Sequence, residues 1–464
     1  MVGSEQGGVT VTAMETAIQE EALQRYRPYP AYKDSGVEWL GEIPEHWEVK
    51  RLRSTVKSCQ NGVWGDEADG LQDIACIRVA DFDRVSFRVN IDDPTLRSIE
   101  PRVASARGLK QGNLLLEKSG GENQPVGAVV LYDHSIPAVC SNFVARVVLA
   151  KSFNSRFMAY LHAALYSLRV NTKHIKQSTG IQNLDSTSYL DEAVVLPSET
   201  DEQRSITSFL DRETAQIDVL VAKKQRLIEL LLEQRTALIT RAVTKGQDPS
   251  VPMKASGVEW LGEIPEHWDL VPSTWLFTEC KKRALDGDEQ LSATQKYGVI
   301  PQAEYERLEG RQVVHAFMHL DKRKHVEVDD FVMSMRSFEG GLERVRARGC
   351  VRSSYIVLRG TAEVHIGFFS YLLKSSAYIQ ALKATSNFIR DGQDLNFENF
   401  RLVRLPSLPI SEQEVTANFL DRKTAEADSL IARVRDAITR LKELRTALIS
   451  AAVTGKIDVR EEVL

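Results

Sequence analysis

Two histidines at helical spacing are the first candidates in this sequence for a metal-binding or catalytic site. In "HAFMH", His315 and His319 stand four residues apart, the spacing at which one helix face presents two metal ligands. The zinc-binding pattern HExxH needs a glutamate after the first histidine, and this segment has alanine there. The cysteines occur singly, without a CxxC pair, at Cys59, Cys76, Cys140, Cys280 and Cys350. We therefore predict no metal site, no disulfide framework and a reducing compartment.

Motifs for methyl transfer and for nucleotide hydrolysis are incomplete. An adenine methyltransferase holds its flipped base with Asn/Asp-Pro-Pro-Tyr/Phe, and the Asp-Pro pairs in "DDPTL" and "QDPSV" lack the second proline. Gly455 and Lys456 are followed by Ile457, not by the Ser or Thr of a phosphate-binding loop. No stretch approaches about 18 uninterrupted apolar residues, and no secretory leader is present at the start. These patterns predict a cytoplasmic protein without a catalytic site of its own.

An internal duplication organises the elements that must position any site. The segment "SGVEWLGEIPEHW" occurs letter for letter at 35–47 and 256–268, and 209–246 matches 419–456 without a gap at an offset of 210. Each half therefore consists of a motif, a variable region and a long helix. Four of the six tryptophans lie in the two motif copies, so we expect each copy to fasten its variable region to neighbouring structure. We interpret the motif histidines, His46 and His267, as structural.

Both long helices show heptad periodicity. The first, predicted from about 201 to 244, has apolar residues at alternating steps of four and three, namely Ile206, Leu210, Ile217, Leu220, Leu227, Leu231 and Leu238. The second has Leu420, Ala427, Leu430, Val434, Ala437, Leu441, Leu444 and Leu448 at the equivalent positions. This pattern predicts a coiled coil of the two helices, the alternative being that each packs on its own domain. The predicted helix ends are an N-cap at Asp201, a capping box at Ser411 and Glu414, and stops at Gly246 and Gly455.

The two variable regions have the pattern of mixed α/β domains with one fold. In the first, "NLLLE", "GAVVLY" and "FVARVVLA" predict strands, and helical spacing follows at Phe157, Leu161, Ala164, Leu165 and Leu168. The second repeats the order with "DDFVMSM", "CVRSSYIVL" and the helical "FFSYLLKSSAYIQALKA". Gly120 and Gly121 correspond to Gly340 and Gly341.

Taken together, these segments resemble the specificity subunits of type I restriction-modification systems. The resemblance rests on the motif before each variable region, on "LPSETDEQRSITSFLD" and "LPISEQEVTANFLD" at the helix starts, and on "RTALI" near each helix end. It implies an α+β fold in which two mixed α/β target recognition domains are separated by a pair of long antiparallel coiled-coil helices, with an internal pseudo-two-fold repeat. The implied domains are an N-terminal extension (1–27), recognition domain 1 (28–196), long helix 1 (197–247), recognition domain 2 (248–405), and long helix 2 with a C-terminal tail (406–464).

The resemblance also implies a function. In that family each recognition domain reads one half of a split target in double-stranded DNA, and the helices dock methyltransferase subunits. We therefore expect a non-catalytic subunit whose partners are DNA, two adenine-N6 methyltransferase subunits and restriction or translocase subunits, with no membrane partner. S-adenosylmethionine, ATP and Mg are expected in the partner subunits, and no cofactor in this chain. The alternatives are a two-headed DNA-binding scaffold without a methyltransferase partner and an enzyme in its own right.

Candidate DNA contacts are polar residues beside glycines, because pairing with base edges requires donors and acceptors on accessible loops. The segments "EKSGGENQ", "TGIQN", "RSFEGG" and "IRDGQD" supply Lys118, Ser119, Asn123, Thr179, Gln182, Arg336, Glu339, Arg390 and Gln393. Basic clusters supply Lys173, Lys176, Arg344 and Arg346, and the alternation of Arg344, Arg346 and Arg348 predicts a single strand face suited to phosphates. The regions are nearly neutral, with 18 basic and 16 acidic residues in 48–195 and 20 and 18 in 269–404. A solvated surface is therefore the alternative interpretation of each cluster.

Overall fold

The computed structural model describes residues 24–121, 124–178, 180–310, 312, 322–334, 341–385 and 395–462. These residues form two compact units, the first made of the described residues within 1–224 and 436–464 and the second of those within 225–435. The boundary falls inside both long helices, so each unit contains one variable region, the first part of one long helix and the last part of the other. The domains predicted from the sequence separate the long helices from the variable regions, and these ranges stay a prediction.

The described α-helices range from one turn to more than forty residues. In chain order they are α1 (Pro101–Arg107), α2 (Ser155–Ser167), α3 (Ser186–Tyr189), α4 (Thr200–Lys245), α5 (Ser273–Leu276), α6 (Gln302–Glu309), α7 (Ile366–Leu372), α8 (Ser376–Ala384), α9 (Phe397–Leu402) and α10 (Ile410–Val453). Short 3-10 helices lie at Leu52–Thr55, Val79–Asp81 and Val170–His174.

The first unit is built on several small sheets. Its strands are β1 (Tyr32–Asp34), β2 (Glu42–Pro44), β3 (Glu48–Arg51), β4 (Val56–Asn61), β5 (Asp66–Glu67), β6 (Asp73–Ile77), β7 (Phe82–Asp83), β8 (Arg88–Val89), β9 (Leu96–Ser98), β10 (Asn113–Glu117), β11 (Ser119–Gly120), β12 (Val129–Tyr132), β13 (Ala138–Cys140), β14 (Val144–Leu149), β15 (Ile175–Ser178), β16 (Ile181–Leu184) and β17 (Ala193–Leu196). They form sheets in the orders β4-β14-β10-β12-β8-β7, β13-β6-β9-β5, β11-β16-β15, β17-β3 and β1-β2.

The second unit repeats part of this architecture. Its strands are β18 (Met253–Ala255), β19 (Glu263–Pro265), β20 (Asp269–Pro272), β21 (Phe277–Glu279), β22 (Leu291–Thr294), β23 (Gly298–Pro301), β24 (Lys324–Val326), β25 (Phe331–Met333), β26 (Glu343–Arg344), β27 (Gly349–Val351), β28 (Ile356–Gly360) and β29 (Arg404–Ser407). The order β21-β28-β25 matches β4-β14-β10, while the pairs β20-β29 and β18-β19 match β3-β17 and β1-β2. The predicted mixed α/β fold is therefore confirmed in both units.

The apolar strands and helices predicted from the sequence form the cores. In the first unit β10, β12 and β14 pack with the buried face of α2, where Phe157, Leu161 and Leu165 are fully buried. In the second unit β25 and β28 pack with α7 and α8. The helical segment predicted over 368–384 is divided at Ser375, whose hydroxyl caps α8 by accepting from the Tyr378 backbone N–H.

The long helices pair antiparallel, but the predicted phase of their seam is wrong at every second position. Leu220 and Leu227 are exposed, whereas Ile228 is buried and Val221 is half-buried. The second helix shows the same displacement, since Leu430 is exposed and the next residue is buried. The observed seam positions are 210, 214, 217, 221, 224, 228, 231, 235 and 238 in α4, with 420, 424, 427, 431, 434, 438, 441, 445 and 448 in α10. The sequence misled because Thr, Lys and Arg occupy some seam positions while leucines lie beside them.

Two ion pairs related by the duplication join the helices. In the first unit Arg445 Nε lies 3.0 Å from Asp218 Oδ1, and in the second unit Arg235 Nε lies 3.2 Å from Asp428 Oδ1. The two arginines and the two aspartates are each 210 residues apart, which is the offset of the sequence repeat. In the second unit Gln247 also donates to Thr416, so residue numbers rise along one helix and fall along its partner. The predicted antiparallel pair and internal repeat are thus confirmed.

The starts of the two long helices differ from the prediction, whereas the predicted glycine stops lie within two residues of both helix ends. Helix α4 begins at Thr200 because the Glu199 carbonyl already accepts from the Gln203 N–H, so Asp201 lies inside the helix and is not its N-cap. Helix α10 begins at Ile410 because the Pro409 carbonyl accepts from the Gln413 N–H, so the capping box predicted at Ser411 and Glu414 is also wrong. Gly246 and Gly455 have positive φ, as predicted for helix stops.

Each motif copy lies where one long helix starts and the other ends. Trp47 donates its indole N–H to Glu202 in the first turn of α4, and a Cβ on Gly455, just after α10, would lie 2.4 Å from Pro44. In the second unit Trp268 donates in the same way to Glu412 in the first turn of α10. Gly246, just after α4, lies against Pro265 and Trp268. His46 and His267 bond to the same two glutamates, at 2.9 and 2.8 Å.

Candidate nucleic-acid interface

A small three-stranded sheet carries several of the predicted contact residues of the first unit. Strand β11 pairs with β16, and β16 pairs with β15, so that Ser119, Asn183 and Lys176 lie side by side across the sheet. Lys118 links β10 to β11, and its Nζ donates to Asn61 Oδ1 at 2.9 Å. The Ser119 hydroxyl donates to Asn183 Oδ1 at 2.6 Å. This arrangement places the candidates Lys118, Ser119 and Lys176 in or beside one small sheet, and their contact with DNA stays a prediction.

The two faces of this sheet differ. Residues Leu184 and Gln182 share one face, where Leu184 is buried in the core and the Gln182 carboxamide accepts from the Val126 N–H at 3.3 Å. Asn183 and Ile181 share the opposite face, and both are exposed. We call Ser119, Lys176, Ile181 and Asn183 the hairpin face. The β15–β16 hairpin is the two-stranded part of this sheet, and the major groove of B-DNA is wide enough to admit a two-stranded β-ribbon.

A cationic edge lies beside the hairpin face at the end of β4. Arg107 donates to the Asn61 carbonyl at 2.8 Å, and Arg146 donates to Gln60 Oε1 at 2.9 Å. Together with Lys118 they form three positive charges whose hydrogen bonds go to neutral oxygens. Among the residues that the structure describes, none of the three forms an ion pair with a carboxylate. Such uncompensated charge is what a phosphate backbone attracts.

Other predicted basic residues are already paired with carboxylates. Lys173 lies 2.9 Å from Glu192, Lys176 lies 2.8 Å from Asp185, and Arg344 lies 2.6 Å from Asp329. The hydrogen bond from Lys176 lowers the pKa of the Asp185 carboxyl. Lys176 is the most exposed of these three basic residues, and a surface ion pair of its kind contributes about 0–1 kcal/mol, so a phosphate could replace its carboxylate partner at little cost.

The predicted arginine face of the second unit is present, although the strand is short. Strand β26 covers only Glu343–Arg344, yet Val345 is buried while Arg346 and Arg348 are exposed. Partial desolvation of its guanidinium lowers the pKa of Arg346, and the nearby charge of Arg344 adds to this effect. A separate cleft of about 580 Å³ in this unit is lined by aromatic and basic side chains that include Tyr297, Tyr305, Arg323, Arg352 and Tyr355.

Several candidates lie outside the described residues. They are the base-reading candidates Asn123, Thr179, Arg336, Glu339, Arg390 and Gln393, together with the histidine pair His315 and His319. Within the described ranges, no group of three or more His, Cys, Asp or Glu side chains is placed to hold a metal ion. In the same ranges no helix combines the length and the apolar composition needed to cross a bilayer.

Sequence reasoning missed Asn61, Arg107, Arg146 and Asn183. For Arg146 a signal existed, since it is the one charged residue in the apolar run "FVARVVLA". Asn183 follows the predicted Gln182 directly, and only the strand register decides which of two neighbours faces outward. Asn61 and Arg107 are 46 residues apart and carry no shared pattern.

The curated relatives of this chain are specificity subunits of type I restriction enzymes. A putative type I restriction enzyme specificity subunit, MjaX, of Methanocaldococcus jannaschii is 23% identical over 440 residues, covering 91% of this chain and 96% of the relative. The EcoBI specificity subunit of Escherichia coli is 23% identical over 337 residues, or 70% of each chain. The resemblance to type I specificity subunits is confirmed. No protein-family model matches the chain.

Solved structures from type I restriction-modification systems share the fold of this chain. A chain from a study of complex assembly and conformational transition of a type I restriction-modification system has a TM-score of 0.60 at 13% identity, covering 89% of this chain and 98% of that one. The HsdS subunit of Thermoanaerobacter tengcongensis has a TM-score of 0.50 at 14% identity, with the same coverage. At these identities the likeness establishes the fold, including the two long helices.

Proposed function

We propose that this chain is the DNA-recognition subunit of a type I restriction-modification complex. Each unit reads one half of a bipartite target in double-stranded DNA, and the chain performs no catalysis. The observation that carries the proposal is the cationic edge beside the hairpin face in a chain that resembles specificity subunits over nearly its full length. Charges without carboxylate partners provide affinity for phosphates, and the adjacent polar side chains provide sequence discrimination.

The paired helices are proposed to bind the partner subunits. Their exposed leucines, Leu220, Leu227 and Leu230, are not used by the seam, and they offer apolar surface to partner subunits. We propose that two adenine-N6 methyltransferase subunits and the restriction subunits bind this chain. S-adenosylmethionine, ATP and Mg would then belong to those partners, and the complex would work in the cytoplasm.

The proposed domains follow the sequence. Recognition domain 1 covers 28–196 and recognition domain 2 covers 248–405, while 197–247 and 406–464 contain the long helices and 1–27 is an extension. Because the frame is duplicated and the inserts differ, each recognition domain should be exchangeable without altering the half-site of the other.

Methylation mapping tests the proposal directly. The chain is co-expressed with its methyltransferase subunit in a host without other adenine methylation, and modified adenines are located across the genome. A split target with two constant half-sites supports the proposal. Failure to co-purify with a methyltransferase, combined with sequence-specific DNA binding, would favour the two-headed scaffold. Methyl transfer by the isolated chain would identify an enzyme instead.

A further inference from the structure

The hairpin face presents one carboxamide whose orientation is fixed from within the protein. Asn183 lies in the middle strand of the three-stranded sheet, opposite Ser119 on one side and Lys176 on the other. Its Oδ1 accepts from the Ser119 hydroxyl at 2.6 Å, so the amide oxygen points toward β11. The side chain itself is exposed. A hydrogen bond of this kind reduces the rotational freedom that binding would otherwise remove.

The bond to Ser119 leaves both N–H donors and one acceptor lone pair of Asn183 available. A carboxamide oxygen has two lone pairs, of which Ser119 uses one, and the NH₂ group keeps both of its hydrogens. Among the four bases, adenine presents an acceptor at N7 beside a donor at N6 in the major groove, which matches this pair of free groups. Guanine presents two acceptors there and cytosine a donor alone.

We propose that Asn183 reads an adenine in the half-site of the first unit and that Ser119 is its positioning residue. This assignment rests on the proposed function, because it names the base that the hairpin face recognises. Two neighbouring residues support contact with an A·T base pair: one suits the thymine methyl group, and the other leaves room for the duplex to come close. Ile181, two residues earlier on the same face, is exposed and suits the C5-methyl group of thymine. Gly180 has open space where a Cβ would lie, so a duplex can approach the strand end closely.

The test uses the complete complex of this chain with its methyltransferase subunit. The wild-type target is first mapped by methylation, and duplexes are then made in which each adenine of the first half-site is replaced in turn by 7-deazaadenine, which lacks the N7 acceptor. For the wild type we expect one such replacement to weaken binding by roughly 5- to 150-fold. The same replacement should have no further effect on Asn183→Ala, because the contact is already lost.

Variants of the protein give an independent readout. Asn183→Ala should make that single position of the target degenerate while the second half-site stays unchanged, which also shows that the complex is folded. Ser119→Ala should relax the same position to a smaller extent. Gln177→Ala, on the other face of the same sheet, is the matched control and should leave the target unchanged. Asn183→Asp keeps the shape and cannot donate to N7, so it should act like Asn183→Ala at adenine.

The outcomes separate the two levels of the argument. For each duplex, the loss of affinity on replacing adenine by 7-deazaadenine is compared between the wild type and Asn183→Ala. If this loss is the same in both proteins at every position, Asn183 does not read adenine, although the proposed function stands. If Asn183→Ala weakens all sequences equally, the residue is a phosphate contact and the inference is overturned. If the wild-type complex shows no sequence preference at all, the proposed function fails as well.

Discussion

Replacing Glu202 with alanine is expected to destabilise the first unit through one buried hydrogen bond. The Glu202 side chain is 6% exposed, and its Oε1 accepts from the indole N–H of Trp47 at 3.0 Å. Alanine would leave that N–H, on a fully buried tryptophan, without an acceptor, which costs about 1–3 kcal/mol. Loss of a negative charge from the first turn of α4 adds about 0.3–1 kcal/mol. We expect the free energy of unfolding of this unit to fall by about 1–4 kcal/mol.

Three variants separate these contributions. Glu202→Gln keeps an acceptor for Trp47 and should cost about 1 kcal/mol. Asp201→Ala removes the neighbouring acid, whose side chain is 89% exposed, and should cost less than about 1 kcal/mol. Glu412→Ala removes the equivalent acceptor of the second unit, but Glu412 is 30% exposed. Water can therefore replace the lost acceptor of Trp268, and the loss should be smaller, about 1–2 kcal/mol.

Hydrogen–deuterium exchange read by mass spectrometry is the assay, because a chain with two units need not unfold in one step. Peptides that cover β3 and the first turns of α4 should exchange faster in Glu202→Ala, while peptides of the second unit should not change. The reasoning is refuted if Glu202→Gln is as damaging as Glu202→Ala, or if Asp201→Ala has the same effect. Either result would show that the Trp47 hydrogen bond does not stabilise the unit.

Three further predictions concern the helices and the cores. Arg445→Ala should destabilise the first unit by about 2–3 kcal/mol, and Arg235→Ala the second by about 1 kcal/mol or less, since Arg445 is the more buried of the two; equal losses in exchange experiments would contradict this. Burial lowers the pKa of His162 to about 4, so the stability it contributes is present above about pH 6.5 and is lost as the pH falls toward 4, by up to about 3 kcal/mol; unfolding curves of His162→Gln should lack this part of the pH dependence. A heptad inserted after both Gln234 and Asp428 keeps the seam phase and lengthens the helix pair by roughly 10 Å. If the paired helices set the distance between the two half-sites, methylation mapping should show a gap between the half-sites that is longer by about three base pairs; an unchanged gap would show that the helices do not set this distance.

The strands and helices could be predicted because their patterns are local. "NLLLE" is β10 without a shift, and both long helices begin and end within a few residues of the predicted limits. The seam phase could not be predicted by counting apolar residues, because some seam positions hold polar residues: Thr214 and Thr424 bond within their own helix, while Arg445 and Arg235 pair with an aspartate of the partner helix. Arg445, for example, reaches Asp218 and the Val85 carbonyl. Only the paired structure reveals such partners.

The candidate site was predictable as a region more than as a set of residues. Glycines beside polar residues pointed to the turn after β10 and to the β15–β16 hairpin, and both regions belong to the candidate interface of the first unit. The choice between Gln182 and Asn183 depended on strand register, since neighbours on a strand face opposite sides. The cationic edge joins residues from three separate segments, and such long-range proximity leaves no trace in a single sequence.

The position of the repeated motif explains why its two copies match while the inserts differ. Within each unit one copy contacts both the first turn of one long helix and the residues after the end of the other. A change in the motif must therefore fit two partners, and the helices are themselves repeats, so both copies meet nearly the same surroundings. The inserts contact the motif and helices mainly through buried apolar residues, which many sequences can supply. Their exposed faces are under no such constraint, so these faces can differ between the two units while the frame stays the same.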